Sequence, residues 1–394
     1  MAARLVETHL SDEERFDWLR LIRSENVGPR TFRALLERCG GAAAALSALP
    51  ELARRGGAGR PIRVAGVDEI EREIEESLRL GVRFIAYCEP DYPPLLRHID
   101  AAPPLLALRG REEALQQPAV AIVGSRNASA AGLAFTDRLA RGLGHAGYVV
   151  VSGLARGIDQ RAHVAALETG TVAVLAGGHA KPYPPEAAPL LPRIAENGAI
   201  VSEMPIAWEP RGRDFPRRNR IVSGLALGAI IVEAARGSGS LITARLAAEQ
   251  GREVLAAPGS PLDPRAEGTN DLLRDGATLC ARVEDALSAL EPLRTHASVG
   301  RVEETRPNDD LWLDEPADAG EPAWAERDDS GETAVGGRVA ALLGPAPVSI
   351  DVLARVANAD VRLVRAALIE LELAGRIERS GGDRVALLTR RDRD

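Results

Sequence analysis

Pro118-Ala-Val-Ala-Ile-Val-Gly124-Ser125-Arg126-Asn127 is an apolar run of strand length that breaks into Gly-Ser-Arg-Asn and then into a helix-like segment, Gly132 to Leu143. That is the sequence form of a strand, a tight glycine turn and a helix N-terminus. Backbone N–H groups at such a corner converge on an anion, and the helix dipole adds to the attraction. Arg126 places a permanent cation with a planar donor fork at the same spot.

Working outward from this corner, further apolar strand candidates recur at Tyr148–Ser152, Thr171–Ala176, Ala199–Glu203, Ala229–Glu233 and Glu253–Ala257, beside Val120–Gly124 itself. Helical stretches lie between most of them. Near-continuous apolar strands separated by helices predict an α/β fold with a parallel, doubly wound sheet. Ligands of such sheets bind beyond the C-terminal ends of the strands. Residues 82 to 110 precede this pattern and are rich in proline; they read as a lead-in that adds an edge strand.

The unusual residues of the chain fall at those strand ends. Gly124, Ser125 and Arg126 follow the first strand, and Gly153 to Asp159, with Arg156, follow the second. Lys181 lies in the proline-rich loop after the third, and Gly237, Ser238, Gly239 and Ser240 follow the fifth and lead into a helix, Leu241 to Gln250. Between the fourth and fifth strands, residues 211–220 hold five arginines against one aspartate, with Arg217, Arg218, Asn219 and Arg220 at the end. Each piece has a plainer reading: a glycine turn is often only a turn, an arginine-rich loop a solvated face, and Arg156 and Asp159 a mutual pair. Their coincidence at one sheet edge points to an anion pocket. Lys181 stands out because it is the one lysine beside 48 arginines, a bias that GC-rich coding explains.

Several classes are disfavoured. His163 and His179 have no motif partner, no G-x-S-x-G elbow is present, and the G-x-x-x-x-G-K-[ST] phosphate loop is missing. The first turn lacks the full G-x-G-x-x-G, which weakens a dinucleotide reading. Cys39, Cys88 and Cys280 are far apart and odd in number, which fits a reduced cytoplasmic interior and no metal site. No signal peptide or apolar run of about 18 residues is evident, so no membrane span is expected. The formal charge of −8 is uneven: residues 291–332 carry 13 Asp/Glu and 4 Arg, a net of −9, so the remainder is close to neutral.

At the N-terminal end, Glu25-Asn-Val-Gly28-Pro29-Arg-Thr31 joins two helical patterns, a hairpin that resembles helix-hairpin-helix modules. With one glycine in the turn, packing of the hairpin on its neighbours is the favoured role. Beyond Leu287 the acidic segment reads as a disordered linker. Ser349 to Ala357 and Asp360 to Gly375 then read as two helices and Arg376 to Leu388 as a hairpin, the winged-helix pattern. Arg362 and Arg365 on its second helix, followed by Glu370 and Glu372, leave duplex binding and protein contact equally open.

The ordered motifs Gly124-Ser125-Arg126, Ser152-Gly153-Leu-Ala-Arg156-Gly157-Ile-Asp159, Tyr183-Pro184, Phe215-Pro216-Arg217-Arg218-Asn219-Arg220, Gly237-Ser238-Gly239-Ser240 and Pro258-Gly259 resemble the DNA processing protein A family (DprA, also called Smf) over residues 80 to 285. The resemblance implies an extended Rossmann-like domain over 81–287. It is flanked by a small helical domain of SAM or helix-hairpin-helix type over 1–80, a linker over 288–331 and a winged-helix domain over 332–394. It implies a non-enzymatic, cytoplasmic homodimer without cofactor that binds and protects incoming single-stranded DNA and loads the RecA recombinase in natural transformation. Arg126, Arg218, Asn219, Arg220 and Ser238–Ser240 occupy the family's motif positions. Ala180 and Ala187 stand where the family carries an Asp and a polar residue, a departure that leaves nearby Lys181 to make that contact. The rival reading is a nucleotide-binding phosphoribohydrolase of related fold, whose Pro-Gly-Gly-x-Gly-Thr-x-x-Glu signature lacks its acid here.

Overall fold

The computed structural model describes residues 9–299, 329–380 and 383–388. They divide into two units. One holds residues 71–299 with 9–11, and the other joins residues 12–70 to the C-terminal residues from 329 on.

The chain starts with three helices, α1 (Asp12–Arg23), α2 (Pro29–Cys39) and α3 (Ala42–Arg55). Proline at the first position of α2 and Gly40 in the left-handed conformation past its end set that helix's limits. The chain passes from this unit to the other within α4 (Val67–Arg79).

The second unit is built on one sheet. Its lead-in is β1 (Val82–Ala86), the single-turn α5 (Pro94–Arg97) and β2 (Leu105–Gly110). Then follow β3 (Ala119–Val123), α6 (Ala130–His145), β4 (Val149–Ser152), α7 (Ile158–Ala165), β5 (Thr171–Val174), α8 (Leu190–Asn197) and β6 (Ala199–Ser202). After the crossover come α9 (Asp214–Gly224), β7 (Gly228–Ile231), α10 (Gly239–Glu249), β8 (Glu253–Ala256), α11 (Glu267–Arg274), β9 (Thr278–Leu279) and α12 (Val283–Val299). The nine strands lie in the order β1-β2-β6-β5-β4-β3-β7-β8-β9. Strands β3 to β9 are mutually parallel, and β1 and β2 run antiparallel at one edge.

Every residue of β3, β4, β5, β6 and β7 is buried, which explains why these strands carry no polar alternation. Ile221 and Val222 of α9 with Ala244 and Ala247 of α10 pack on one face against Val123, Val151 and Ile231. On the other face Leu139 and Leu143 of α6, Ile158 and Ala162 of α7 and Ala286 and Leu290 of α12 meet Val120, Ile122, Val150 and Ile230. The winding reverses at β3, from which the chain first builds toward β6 and then returns to place β7 on the opposite side. The loops after β3 and β7 therefore diverge and leave a crevice between them.

Two expectations need correction. The lead-in contributes two strands rather than one, because Leu106 and Leu108 bury against the core as fully as any central residue. The linker expected from 288 starts too early. Leu290 is fully buried, Tyr148 donates its hydroxyl to Glu291 at 3.1 Å, and Arg294 donates to the Ala146 carbonyl at 3.2 Å, so α12 continues to Val299. Acidic composition masked a docked helix. The rest of that segment, 300–328, lies outside the described residues.

The C-terminal part folds as α13 (Asp329–Leu342), β10 (Val348–Ser349), α14 (Ile350–Ala357), α15 (Val361–Leu373), β11 (Ile377–Ser380) and β12 (Arg384–Leu387), with a three-stranded sheet in the order β10-β12-β11. This is a winged helix, and its α15 shares a unit with α2 and α3. The Glu370 carboxylate is buried between Arg38 Nη2 at 3.4 Å and Arg55 Nε at 3.3 Å. Asn26 Nδ2 donates to the Leu373 carbonyl at 2.9 Å. Gly56 approaches so closely that a Cβ there would lie 1.9 Å from the Glu370 carbonyl oxygen. The C-terminal half of α15 is thus a packing surface, and Glu372 pairs with Arg379 at 3.1 Å.

Removing one member of a buried ion pair leaves buried charge uncompensated and costs about 3–5 kcal/mol. Glu370→Ala is expected to lower the urea midpoint of this unit and to lose hydrogen-exchange protection in α3 and α15. Protection of β3 to β7 should be unchanged; equal loss in both units would contradict the division.

Candidate nucleic-acid interface

The crevice at the sheet's winding reversal opens into a cavity of about 640 Å³. The loop after β3 supplies Gly124, Ser125 and Arg126, the loop after β4 supplies Gly153, the first turn of α7 supplies Asp159, α9 supplies Phe215, Arg218 and Asn219, and the start of α10 supplies Ser238, Gly239, Ser240 and Thr243. Elements distant in sequence meet here because each ends at the same sheet edge.

The floor is an ionic cluster. Arg218 is 6 % exposed, and its Nη1 donates to the carbonyls of both Gly153 and Val174 while Nε reaches Asn219 Oδ1 at 3.2 Å. A side chain at Gly153 would displace Arg218, since a Cβ would lie 2.6 Å from that guanidinium. Asp159, 5 % exposed, accepts N–H from Gly153 at 3.1 Å and Ala155 at 3.3 Å, and a further one from Gly124. Burial pushes its carboxyl up to about 6, against the opposing pull of the Arg218 charge and the three N–H donors. Burial likewise brings Arg218 down to about 10, partly offset by Asp159.

This arrangement changes the expected role of the Gly124–Asn127 corner. Its amides were expected to meet an incoming anion, yet the Gly124 N–H serves Asp159 and the Asn127 N–H goes to Ser125 Oγ at 3.1 Å. What the corner presents is the exposed Arg126 side chain, whose guanidinium carbon lies 5.4 Å from the centre of the Phe215 ring. Phe215 in turn meets Tyr183 edge-on at 5.3 Å between centroids, and Tyr183 is 45 % exposed. Across the cavity, Ser238 caps α10: its Oγ accepts from Ser240 N at 3.4 Å and lies 2.8 Å from Ser240 Oγ. Asn219 Nδ2 donates to the Gly239 carbonyl at 3.2 Å and fixes that turn to α9.

The arginine cluster disperses, because a helix turns successive side chains about 100° apart. Arg211 stacks on Trp208 at 5.0 Å. Arg217 and Arg220 both grip Glu203, Arg217 at 3.0 Å, and neither lines the cavity. Arg156 borders a small adjoining pocket and pairs with Glu186, not with Asp159. Lys181 is exposed on its loop and does not line the cavity; Gly237, with φ +76°, shapes the turn without lining it. Gly124, Ser125, Arg126, Arg218, Asn219, Ser238, Gly239 and Ser240 are therefore the expected residues that come together. Phe215 and Thr243 join them, and the signal for each was its position beside a motif, Phe215 before the proline-arginine run and Thr243 after the serine-glycine turn.

His163 and His179 are buried away from the cavity. His163 bonds Thr171 Oγ1 at 2.7 Å and His179 bonds the Ala107 carbonyl at 3.1 Å. Burial lowers His163 to about 3 and His179 to about 4, so both stay neutral. No group of three or more His, Cys, Asp or Glu among the described residues is placed to hold a metal ion, and no described helix is long and apolar enough to cross a membrane.

Comparison with known proteins adds to this geometry. The family model described as DNA recombination-mediator protein A matches residues 83–291; those of a DprA-like N-terminal HHH domain and a DprA winged helix domain match residues 12–75 and 322–383. The chain is 38 % identical over 299 residues to Protein Smf of Escherichia coli, covering 75 % of each. It is 42 % identical over 202 residues to DNA processing protein DprA of Streptococcus pneumoniae, covering 51 % of this chain and 71 % of that one. The X-ray structure of DprA from Streptococcus pneumoniae matches with a TM-score of 0.59 at 32 % identity, over 72 % of this chain and 99 % of that chain. DprA from Helicobacter pylori, whose structure describes a unique single-stranded DNA binding mode, matches with a TM-score of 0.50 at 30 % identity, over 54 % and 96 %.

The buried groups make stability depend on pH in opposed senses. Histidines held neutral leave the unfolded chain to bind extra protons, so stability is lost as pH falls from about 6.5 toward 4. Asp159 acts oppositely: between about 4 and 6 the folded state holds the extra proton, and stability falls as pH rises. Asp159→Asn removes the opposing contribution. Its acid loss between pH 6 and 4 should steepen by up to about 1.4 kcal/mol per pH unit; a profile parallel to that of the parent protein would refute the assignment.

Proposed function

The chain belongs to the DNA recombination-mediator protein A family, and from that premise we propose that it binds single-stranded DNA at the cavity on the sheet's C-terminal edge. The observation that carries this reading is the meeting, across one cavity, of the Arg126 guanidinium and the serine-capped start of α10, over a floor set by Arg218 and Asp159.

A phosphate diester needs fixed positive charge and hydroxyl or amide donors, and it needs them on a surface that a polymer can enter and leave. Arg126 supplies the charge from an exposed position, and the Ser238–Ser240 turn at the N-terminus of α10 supplies donors and the positive end of a helix dipole. The Tyr183–Phe215 pair at the rim gives one base an apolar edge. Donors that face phosphates and few that read base edges imply sequence tolerance and a steep salt dependence.

The wider role follows from the family rather than the cavity. In this reading the protein acts in the cytoplasm as a homodimer, protects incoming single strands and passes them to RecA during natural transformation, without catalysis or cofactor. The rival hydrolase reading would need an acid poised on a glycosidic bond. Asp159, the carboxylate among the residues lining the cavity, is instead tied to three backbone N–H groups, and Thr243 rather than an acid follows the serine turn.

Anisotropy of a labelled oligo-dT over a salt series tests the proposal. Loss of one charge-assisted phosphate contact is worth about 1.5–3 kcal/mol, so Arg126→Ala should weaken binding about 10–100-fold. It should also flatten the salt slope by about 0.7. Undiminished affinity in the variant would move the site elsewhere. No binding to single strands at any salt, together with release of free base from a nucleoside monophosphate, would favour the hydrolase.

A further inference from the structure

Glu233 follows β7 with φ +70°, a left-handed conformation that a residue with a side chain rarely adopts. Its carboxylate reaches across the winding reversal to the N-terminus of the sixteen-residue helix α6. Oε2 accepts the Ser129 N–H at 2.9 Å, and Oε1 accepts the Ser129 hydroxyl. Ser129 Oγ accepts the Gly132 N–H at 2.9 Å in turn. The bare Gly132 leaves room for this carboxylate, because a Cβ there would lie 2.6–2.8 Å from the Glu233 carboxyl atoms and displace them.

In a doubly wound sheet, the N-terminus of the helix after the first central strand is where a nucleotide's phosphate is received. We propose that Glu233 is a resident anion filling this position in place of phosphate. It closes the helix end to nucleotides, holds the Gly124–Asn127 loop from below, and leaves the start of α10 and Arg126 as the place for an outside anion. Three observations converge: the strained backbone of Glu233, the missing side chain at Gly132, and the double acceptance from Ser129. Asp159 accepts the Gly153 and Ala155 N–H groups at the neighbouring strand end in the same manner, so carboxylates of the chain already occupy donors at both places. Glu233 also borders a second cavity of about 290 Å³ beside Gly259 and Ser260, so shortening its side chain opens the helix end to small solutes.

Thermal unfolding of the full chain in inorganic phosphate against chloride at equal ionic strength tests this. Glu233→Ala should be less stable than the parent in chloride, and phosphate should raise its Tm by about 2–4 °C more than it raises the parent's. Glu233→Gly, which also relaxes the backbone, should show the same excess, and folding only in phosphate would count as support. An equal phosphate response in parent and variants, or variants that fail to fold in either salt, would overturn the proposal. The consequence for the Gly124–Asn127 loop rests on the DNA reading, but the anion exchange does not. Adding Arg126→Ala to Glu233→Ala should leave the phosphate excess in place even if oligo-dT binding proves to lie elsewhere.

Discussion

A guanidinium held out of water at the edge of a parallel sheet is the constraint on which this site depends. Arg218 satisfies its donors with the ends of two neighbouring strands, through Gly153 and Val174, and it faces Asp159. A buried charge of this kind is costly unless fully partnered. Its partners therefore have to sit where they do. A side chain at Gly153 would displace the guanidinium, α9 must start with its second turn pressed onto the sheet edge, and Asp159 must collect the backbone donors around it. The outcome is a rigid floor beneath a cavity whose working groups, Arg126 and the serine turn, stay accessible.

On the proposed reading, that division between floor and rim is what would let a fold suited to gripping one nucleotide serve a long polymer. Amides that could face a phosphate, those of Gly153, Ala155 and Ser129, are spent on Asp159 and Glu233. The contacts left to an incoming phosphate come from one exposed arginine and one helix start. Such contacts are individually modest, screened by salt and repeatable along a strand. If the cavity takes single strands as proposed, it has to release DNA as well as hold it, and shallow electrostatic contacts suit that need better than an enclosed phosphate cradle.

The sheet was legible in the sequence because burial on both faces leaves a strand no polar alternation to hide behind; six runs from Val120 to Ala257 carry that signature. The glycine turns were legible for a related reason, since Gly124 and Gly153 stand where side chains or carbonyls of other elements close in. Partnerships across the fold were not legible. Five arginines within residues 211–220 read as one basic patch, but Arg211 in the preceding loop meets Trp208, while the helix points Arg217 and Arg220 at Glu203 and Arg218 into the floor. Nor did anything in the run Val232-Glu233-Ala234 show that this carboxylate caps a helix more than 100 positions upstream, as the separation of 104 from Ser129 records. Local pattern reports burial; it does not report which distant group answers a charge.

The same limit explains the terminal domains. Glu370 read as one of two acids diluting the basic character of a groove-reading helix. In the fold it is the anion that two arginines from α2 and α3 close upon. A helix used in this way has half its surface committed to protein, with the Leu373 carbonyl capped by Asn26 from the hairpin turn. The hairpin turn is thereby committed as well: the segment that resembles a phosphate-binding module makes its hydrogen bond to α15. Sequence reading favoured packing for that turn on the ground of its single glycine, and the fold supplies the stronger physical reason. Two modules that each look like a nucleic-acid reader in isolation thus cover part of one another's surface.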